Sequence, residues 1–169
     1  MSRLICVFKD NDWESKITGV FKFIHQTLSR LLRSVPTSAE MAMRQYLFAA
    51  QVADSTFFPN QTYDFLEQAF SIYEEQITDS KSQYTSLMGI ANTLQTTRCL
   101  DEEQFNTLAL RTAQFGGKLL RRVDQARAIV CASHLWWAVD SPYLPETEEK
   151  PVHPQLPFPT KINFLLVIP

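Results

Sequence analysis

Residues Tyr63–Gln83 read YDFLEQAFSIYEEQITDSKSQ, and the apolar positions Leu66, Ala69, Phe70, Tyr73 and Ile77 recur there at steps of three and four. That recurrence lays a single apolar stripe along an α-helix. Ser80 and Gln83, three apart, offer a capping box for a following helix whose stripe is Tyr84, Leu87, Met88, Ala91 and Leu94. Only a few residues part the two stripes, so the helices are expected to be antiparallel neighbours. The strict alternation of a half-buried strand is absent.

The same pattern extends in both directions. Upstream, Ile17, Val20, Phe21, Ile24, Leu28 and Leu31 predict a helix from Trp13 to Arg33 that Pro36 ends. Thr37 with Glu40 offers a cap for a second helix ending near Asp54, and Pro59 closes the loop behind it. Downstream, Asp101 with Gln104 predicts a fifth helix running through Leu120. Asp124 starts a sixth, expected to bury Ile129, Val130 and Trp136. The odd-numbered helices begin near Trp13, Gln61 and Asp101, a spacing close to the roughly 40–47-residue period of HEAT-like repeats. The expected fold is therefore all-α, a HEAT-like solenoid of about three antiparallel hairpins, with a compact helical bundle as the competing arrangement.

Proline marks the domain boundary. Seven of the nine prolines lie between Pro142 and Pro169, and proline both fixes φ and removes a backbone donor. Residues 1–140 are expected to form the helical body and 141–169 an irregular proline-rich tail. The body is 140 residues long in a chain that is 45% hydrophobic and 20% charged, enough for a single core. The longest apolar runs, Leu4–Phe8 and Phe164–Ile168, fall far short of the roughly 20 residues of a membrane span. Cys6, Cys99 and Cys131 are odd in number and share no framework spacing, which reads as a reduced cytosolic compartment and buried small hydrophobes. In that compartment the sequon Asn60-Gln61-Thr62 is not expected to carry a glycan, and Asn60 reads as a turn or helix-start residue.

Motifs for chemistry are sparse. With four glycines, neither of the glycine-rich nucleotide fingerprints can be written. Gly116-Gly117-Lys118 follows a helical pattern with no strand before it, so it reads as a close approach or bend between helices. Cys131 and His134 make half of a metal site at best, and His25 and Cys99 have no spacing relation to them. Three histidines and no GxSxG leave no recognisable nucleophile arrangement. No catalytic residue, metal or cofactor is expected.

Charge is banded. Residues 1–53 carry a net +3, residues 54–103 a net −7, and residues 104–139 a net +4, within a chain whose total is −2. Glu74 and Glu75 close the third helix, and Lys118, Arg121 and Arg122 cluster at the end of the fifth. Bands of opposite sign allow one copy to meet another. Two solvated faces are the plainer reading, since exposed pairs are individually weak. Nucleic acid is not an expected partner, because the footprint is neither broad nor interleaved with aromatics.

Four words, YDFLEQAFSIYEEQITDSKSQ, RCLDEE (Arg98–Glu103), KLLRRVDQARA (Lys118–Ala128) and ASHLWW (Ala132–Trp137), with FKFIHQTL (Phe21–Leu28) upstream, resemble the C-terminal half of the vacuolar protein sorting 35 family, the large scaffold subunit of retromer. The recognisable words cover about residues 12–138. The resemblance implies a long curved stack of helical hairpins with no enzymatic activity. It implies a cytoplasmic protein, peripheral on endosomal membranes through its complex, in the retrieval of membrane cargo to the Golgi. It also implies two partners: the small retromer subunit with a metallophosphoesterase-like fold, and a second copy. On this chain His134, with Trp136 and Trp137, falls in the region resembling the small-subunit contact. Glu74, Glu75, Lys118, Arg121 and Arg122 fall on the charged self-association patches.

The chain departs from the family pattern at Val123, where proline is usual, and at Ala126, where glycine is usual. The proline-rich segment replaces the family's further helices, and no PRLYLM segment is present, so the arrestin-like retromer subunit is not an expected partner. The chain reads as a fragment or truncated product. A sixth helix without a following repeat is expected to leave Leu135, Trp136 and Trp137 partly bare.

Overall fold

The computed structural model describes residues 13–137, and the proline-rich segment 141–169, Cys6 and the side chain of Trp137 lie outside what it describes. Six helices follow one another: α1 (Trp13–Ser34), α2 (Ala39–Ser55), α3 (Pro59–Gln76), α4 (Ser80–Thr96), α5 (Glu102–Gly117) and α6 (Arg122–Ser133). Short 3₁₀ turns at Pro36–Ser38 and His134–Trp137 flank α2 and end the series. No strand occurs among the described residues. No helix among them is long and apolar enough to cross a membrane.

The helices stack as hairpins in chain order. α2 packs most extensively on α3 and also lies against α4, while α4 in turn contacts α5 and α6. α1 and α2 make no substantial contact with α5 or α6. Each hairpin thus meets only its neighbours, which is the arrangement of a solenoid rather than a closed bundle. Tyr46, Phe70, Leu66, Leu87, Ile90, Leu94 and Leu108 are fully buried along the seam. All five stripe positions expected of α3 are buried. The buried hydroxyls of Thr62, Thr93, Thr97 and Thr112 each donate to a carbonyl one turn earlier, so none is stranded in the core.

Helix ends differ from expectation by a residue or more. Ser38, not Thr37, precedes α2, and its hydroxyl donates back to Val35 O at 2.6 Å instead of capping, because the Pro36–Ser38 turn intervenes. Asp79, not Ser80, caps α4 by accepting from Ser82 N and Ser82 Oγ at 2.9 and 3.0 Å. Those bonds hold the Asp79 carboxyl below its usual range. Gln83 Nε2 donates to Ile77 O rather than closing a capping box. Asp101 precedes α5 with no side-chain cap bond.

α5 stops at Gly117 rather than Leu120, because Leu119 turns into the core. Gly116 lies against α6: a Cβ built there would sit 3.1 Å from Ala128 Cβ, the close approach that the glycine pair implied. That contact sets the rotation of α6. Ala128, Ala132 and Leu135 face inward, Ile129 is half-buried, and Val130 is 59% exposed, contrary to the expected stripe. Val20 on α1 is likewise outward, at 54% exposure.

Two features of the fold have measurable weight. The first is Asp54 at the end of α2, whose Oδ1 accepts from the backbone N–H of Arg98 at 2.7 Å and of Cys99 at 2.9 Å, pinning the α4–α5 connection. The second is Phe57, which holds φ 61° just past α2. Phe57 N–H donates to Asp54 O and Phe58 N–H to Ala53 O, the two bonds of a Schellman motif in which glycine is the usual residue. Asp54→Ala is expected to lower unfolding free energy by about 1–3 kcal/mol in urea titration, with Asp54→Asn losing less because its amide oxygen still accepts. Phe57→Gly is expected to raise it by about 1 kcal/mol, since the left-handed conformation costs a side chain roughly that much and Phe57 is 72% exposed.

Candidate interaction surfaces

Of the acidic and basic residues singled out in the sequence, Glu74 and Lys118 come together at one cleft. Glu74 and Glu75 are exposed on the last turn of α3, and Lys118 is exposed immediately after α5. Arg121 and Arg122, also exposed, lead into α6. Glu74 and Lys118 line a single cleft of about 370 Å³ whose other walls are Tyr73, Gln83, Phe115 and Leu119. The Tyr73 and Phe115 rings meet edge-on at 5.1 Å, and the Lys118 ammonium lies 5.4 Å from the Phe115 centroid. Burial pushes the Tyr73 hydroxyl up to about 12.

A residue that the sequence reading passed over organises this edge. Arg111 on α5 donates through Nε to Glu74 Oε1 at 2.9 Å and pairs with the same carboxylate through Nη2. Its Nη1 reaches both oxygens of Glu67, at 3.0 and 3.2 Å. The guanidinium also lies 4.8 Å from the Phe70 ring centroid. Glu67, Phe70 and Glu74 share one face of α3 at helical spacing, so a single arginine clamps α5 along two turns of its neighbour. The i, i+7 pair of glutamates was the available signal; nothing in the sequence identified which cation would meet it. Glu75 accepts instead from Ser71 Oγ at 3.1 Å.

The second surface lies at the end of α6. His134 is exposed, Leu135 is buried at 2% exposure, and Trp136 is half-buried against the core. Leu135 is therefore not bare, as the lack of a following repeat had suggested: it belongs to the same core cluster as Ala128. His134 and Trp136 flank it in the same short turn.

Cys99 Sγ–H donates to Thr62 Oγ1 at 3.3 Å, and burial pushes its thiol up to about 12. His25 packs against Tyr46, whose hydroxyl donates to His25 O. Among the described residues no three His, Cys, Asp or Glu side chains converge as a metal site.

The sequence model of the family described as vacuolar protein sorting-associated protein 35 matches residues 4–157, further at both ends than the words recognisable by eye. Vacuolar protein sorting-associated protein 35 of Schizosaccharomyces pombe is 38% identical over 141 residues, covering 83% of this chain and 17% of the relative. Vacuolar protein sorting-associated protein 35A of Arabidopsis thaliana is 39% identical over 123 residues, 73% of this chain and 15% of the relative. The Dictyostelium discoideum protein of the same name is 31% identical over 133 residues, 79% of this chain and 17% of the relative. The chain thus spans about a sixth of the length of the curated relatives it matches. On the match to residues 4–157, and on the hairpin stack of the described residues 13–137, the chain belongs to the vacuolar protein sorting-associated protein 35 family.

Proposed function

We propose that this chain is a non-catalytic scaffold segment of retromer, serving the retrieval of membrane cargo from endosomes to the Golgi on the cytoplasmic side of the endosomal membrane. Family membership over residues 4–157 carries the reading. The helical body 1–140 is the working unit in this proposal, the segment 141–169 is separate from it, and attachment to the membrane is indirect, through the complex. A general helical adaptor outside endosomal sorting is the competing reading. Pull-down with the small metallophosphoesterase-like retromer subunit separates the two: absence of binding by the folded chain would sink the retromer assignment.

The turn at His134, Trp136 and Trp137 is assigned to that small subunit. What supports it is the division of labour in the turn, where Leu135 holds the backbone to the core and leaves the His134 ring exposed. Glu74, Glu75, Lys118, Arg121 and Arg122 are assigned to contact with a second copy of the chain. The support is the placement of one residue of each sign, Glu74 and Lys118, around one cleft.

His134→Arg is expected to weaken the small-subunit complex by setting a longer charge into a packed contact. Because the ring is exposed, the unfolding free energy should change by less than about 0.5 kcal/mol. Parallel loss of binding and of melting temperature would instead place His134 in the core. For self-association, Lys118→Glu with Arg121→Glu should abolish the dimer in sedimentation, and Glu75→Lys in the other copy should restore part of it. Glu75 is the cleaner reversal, since Glu74→Lys would also set a cation beside Arg111 in the same chain. The contact should weaken with salt as the Debye length falls from about 10 Å at 0.1 M to about 3 Å at 1 M. Association indifferent to both salt and charge reversal would remove the charged edge from the proposal.

A further inference from the structure

Phe57 combines two features that oppose each other. Its φ of 61° lies in the left-handed region, where a β-carbon is crowded and glycine or asparagine is the ordinary occupant. Its ring is nevertheless 72% exposed and takes no part in the core. Exposed apolar residues standing singly need no special account. A strained backbone does, because it persists where the side chain it presents has a use, and the packing of this fold makes no use of the ring. The turn that carries it is held firmly. Phe57 N–H donates to Asp54 O, while Asp54 Oδ1 accepts from Arg98 N and Cys99 N. One residue thus fixes the backbone of both Phe57 and Arg98. Arg98 is exposed, and its guanidinium has no hydrogen-bond or ionic partner among the described residues. Aromatic and arginine side chains are the types enriched at protein interfaces, and here one of each is presented from a single staple.

The directions of the helices indicate what meets this pair. Short connections make successive helices antiparallel, so α2, α4 and α6 run the same way and end at the same edge. The bonds from Asp54 to Arg98 and Cys99 join the ends of α2 and α4 directly, and the turn that follows α6, with His134 and Trp136, packs against α4. Resting on the small-subunit contact proposed above for that turn, we infer that the contact runs on along this edge to Arg98 and Phe57, with Phe57 as its preformed apolar anchor and Arg98 as the charged residue beside it. The small subunit's facing surface then pairs an apolar pocket with a carboxylate at its rim, since a guanidinium taken out of water without a partner opposes binding. Because the Phe57 turn is set before any encounter, burying its ring costs little conformational freedom, which offsets the strain carried in the free chain.

Calorimetric titration of the full chain with the small subunit, beside thermal melts of each variant, tests this. Phe57→Gly and Phe57→Asn both suit the left-handed turn and remove the ring, whereas Phe57→Tyr keeps it. The first two are expected to raise Kd about tenfold or more while melting no lower than wild type, and Phe57→Tyr to stay within about threefold. Arg98→Glu is expected to raise Kd about tenfold as well, with Arg98→Lys between it and wild type. Tighter folding with weaker binding is the signature of an anchor. Binding losses that track lowered melting would make Phe57 a structural residue and overturn the inference. Unchanged binding by Phe57→Asn and Arg98→Glu would also overturn it, and if His134→Arg still weakens the complex in that case, the small-subunit reading stands without this anchor. A wild-type chain that does not bind the small subunit overturns both.

Discussion

The Asp54 carboxylate is the constraint on which the stacking of this molecule depends. A single oxygen accepts two backbone N–H groups, 44 and 45 residues further along, and so ties the end of α2 to the connection between α4 and α5. Charge-assisted bonds to amides that would otherwise lack a helical partner are stronger than ordinary ones. Beside it, Cys99 donates to Thr62 and Thr62 to Phe58 O, so a short chain of hydrogen bonds joins the end of α2, the first turn of α3 and the α4–α5 connection. Arg111 does the corresponding work towards the opposite edge by clamping α5 to α3. Burial of the leucine, phenylalanine and alanine stripes supplies most of the stabilisation, and these two fastenings fix the register in which the helices pack.

The stripes were legible because burial in a solenoid is one-sided and helical spacing records it. Leu66, Ala69, Phe70, Tyr73 and Ile77 could be read from the sequence for that reason, and all are buried. Solenoid order was legible from the spacing of the hairpins. The Gly116-Gly117 pair was legible as a close approach, since a helix contact near Ala128 tolerates little beyond a hydrogen.

What could not be read depends on choices between chemically equivalent residues. Thr37, Ser38, Asp79 and Ser80 are all competent caps, and tertiary context decides which residue falls at the boundary. The rotation of α6 was misassigned because its small residues, Ala128 and Ala132, carry little hydropathy signal yet permit the closest packing. Ile129 and Val130 were expected inside on hydropathy, but packing against Gly116 selects the alanine face. Arg111, Asp54 and their partners escaped because an ion pair or carboxylate staple 37–45 residues long leaves no local periodicity. The candidate surface was therefore half visible: its charges could be listed, but neither the cleft that joins Glu74 to Lys118 nor the outward Leu120 was apparent.

The Arg111 clamp bears on how such an edge can associate at all. Exposed ion pairs contribute little by themselves, because holding two long side chains in one geometry costs entropy that the screened attraction barely offsets. Here part of that cost is met before any encounter: Glu74 is already held by Arg111, and Lys118 is already drawn over Phe115. Only the surplus over ordering and desolvation appears as affinity, so a preorganised charged rim around an apolar cleft favours association more than the same residues on mobile side chains would. The clamp also divides the acidic patch. Glu74 shares its charge with Arg111 inside the chain, whereas Glu75 accepts from the neutral Ser71 hydroxyl and keeps its charge uncompensated by any cation among the described residues.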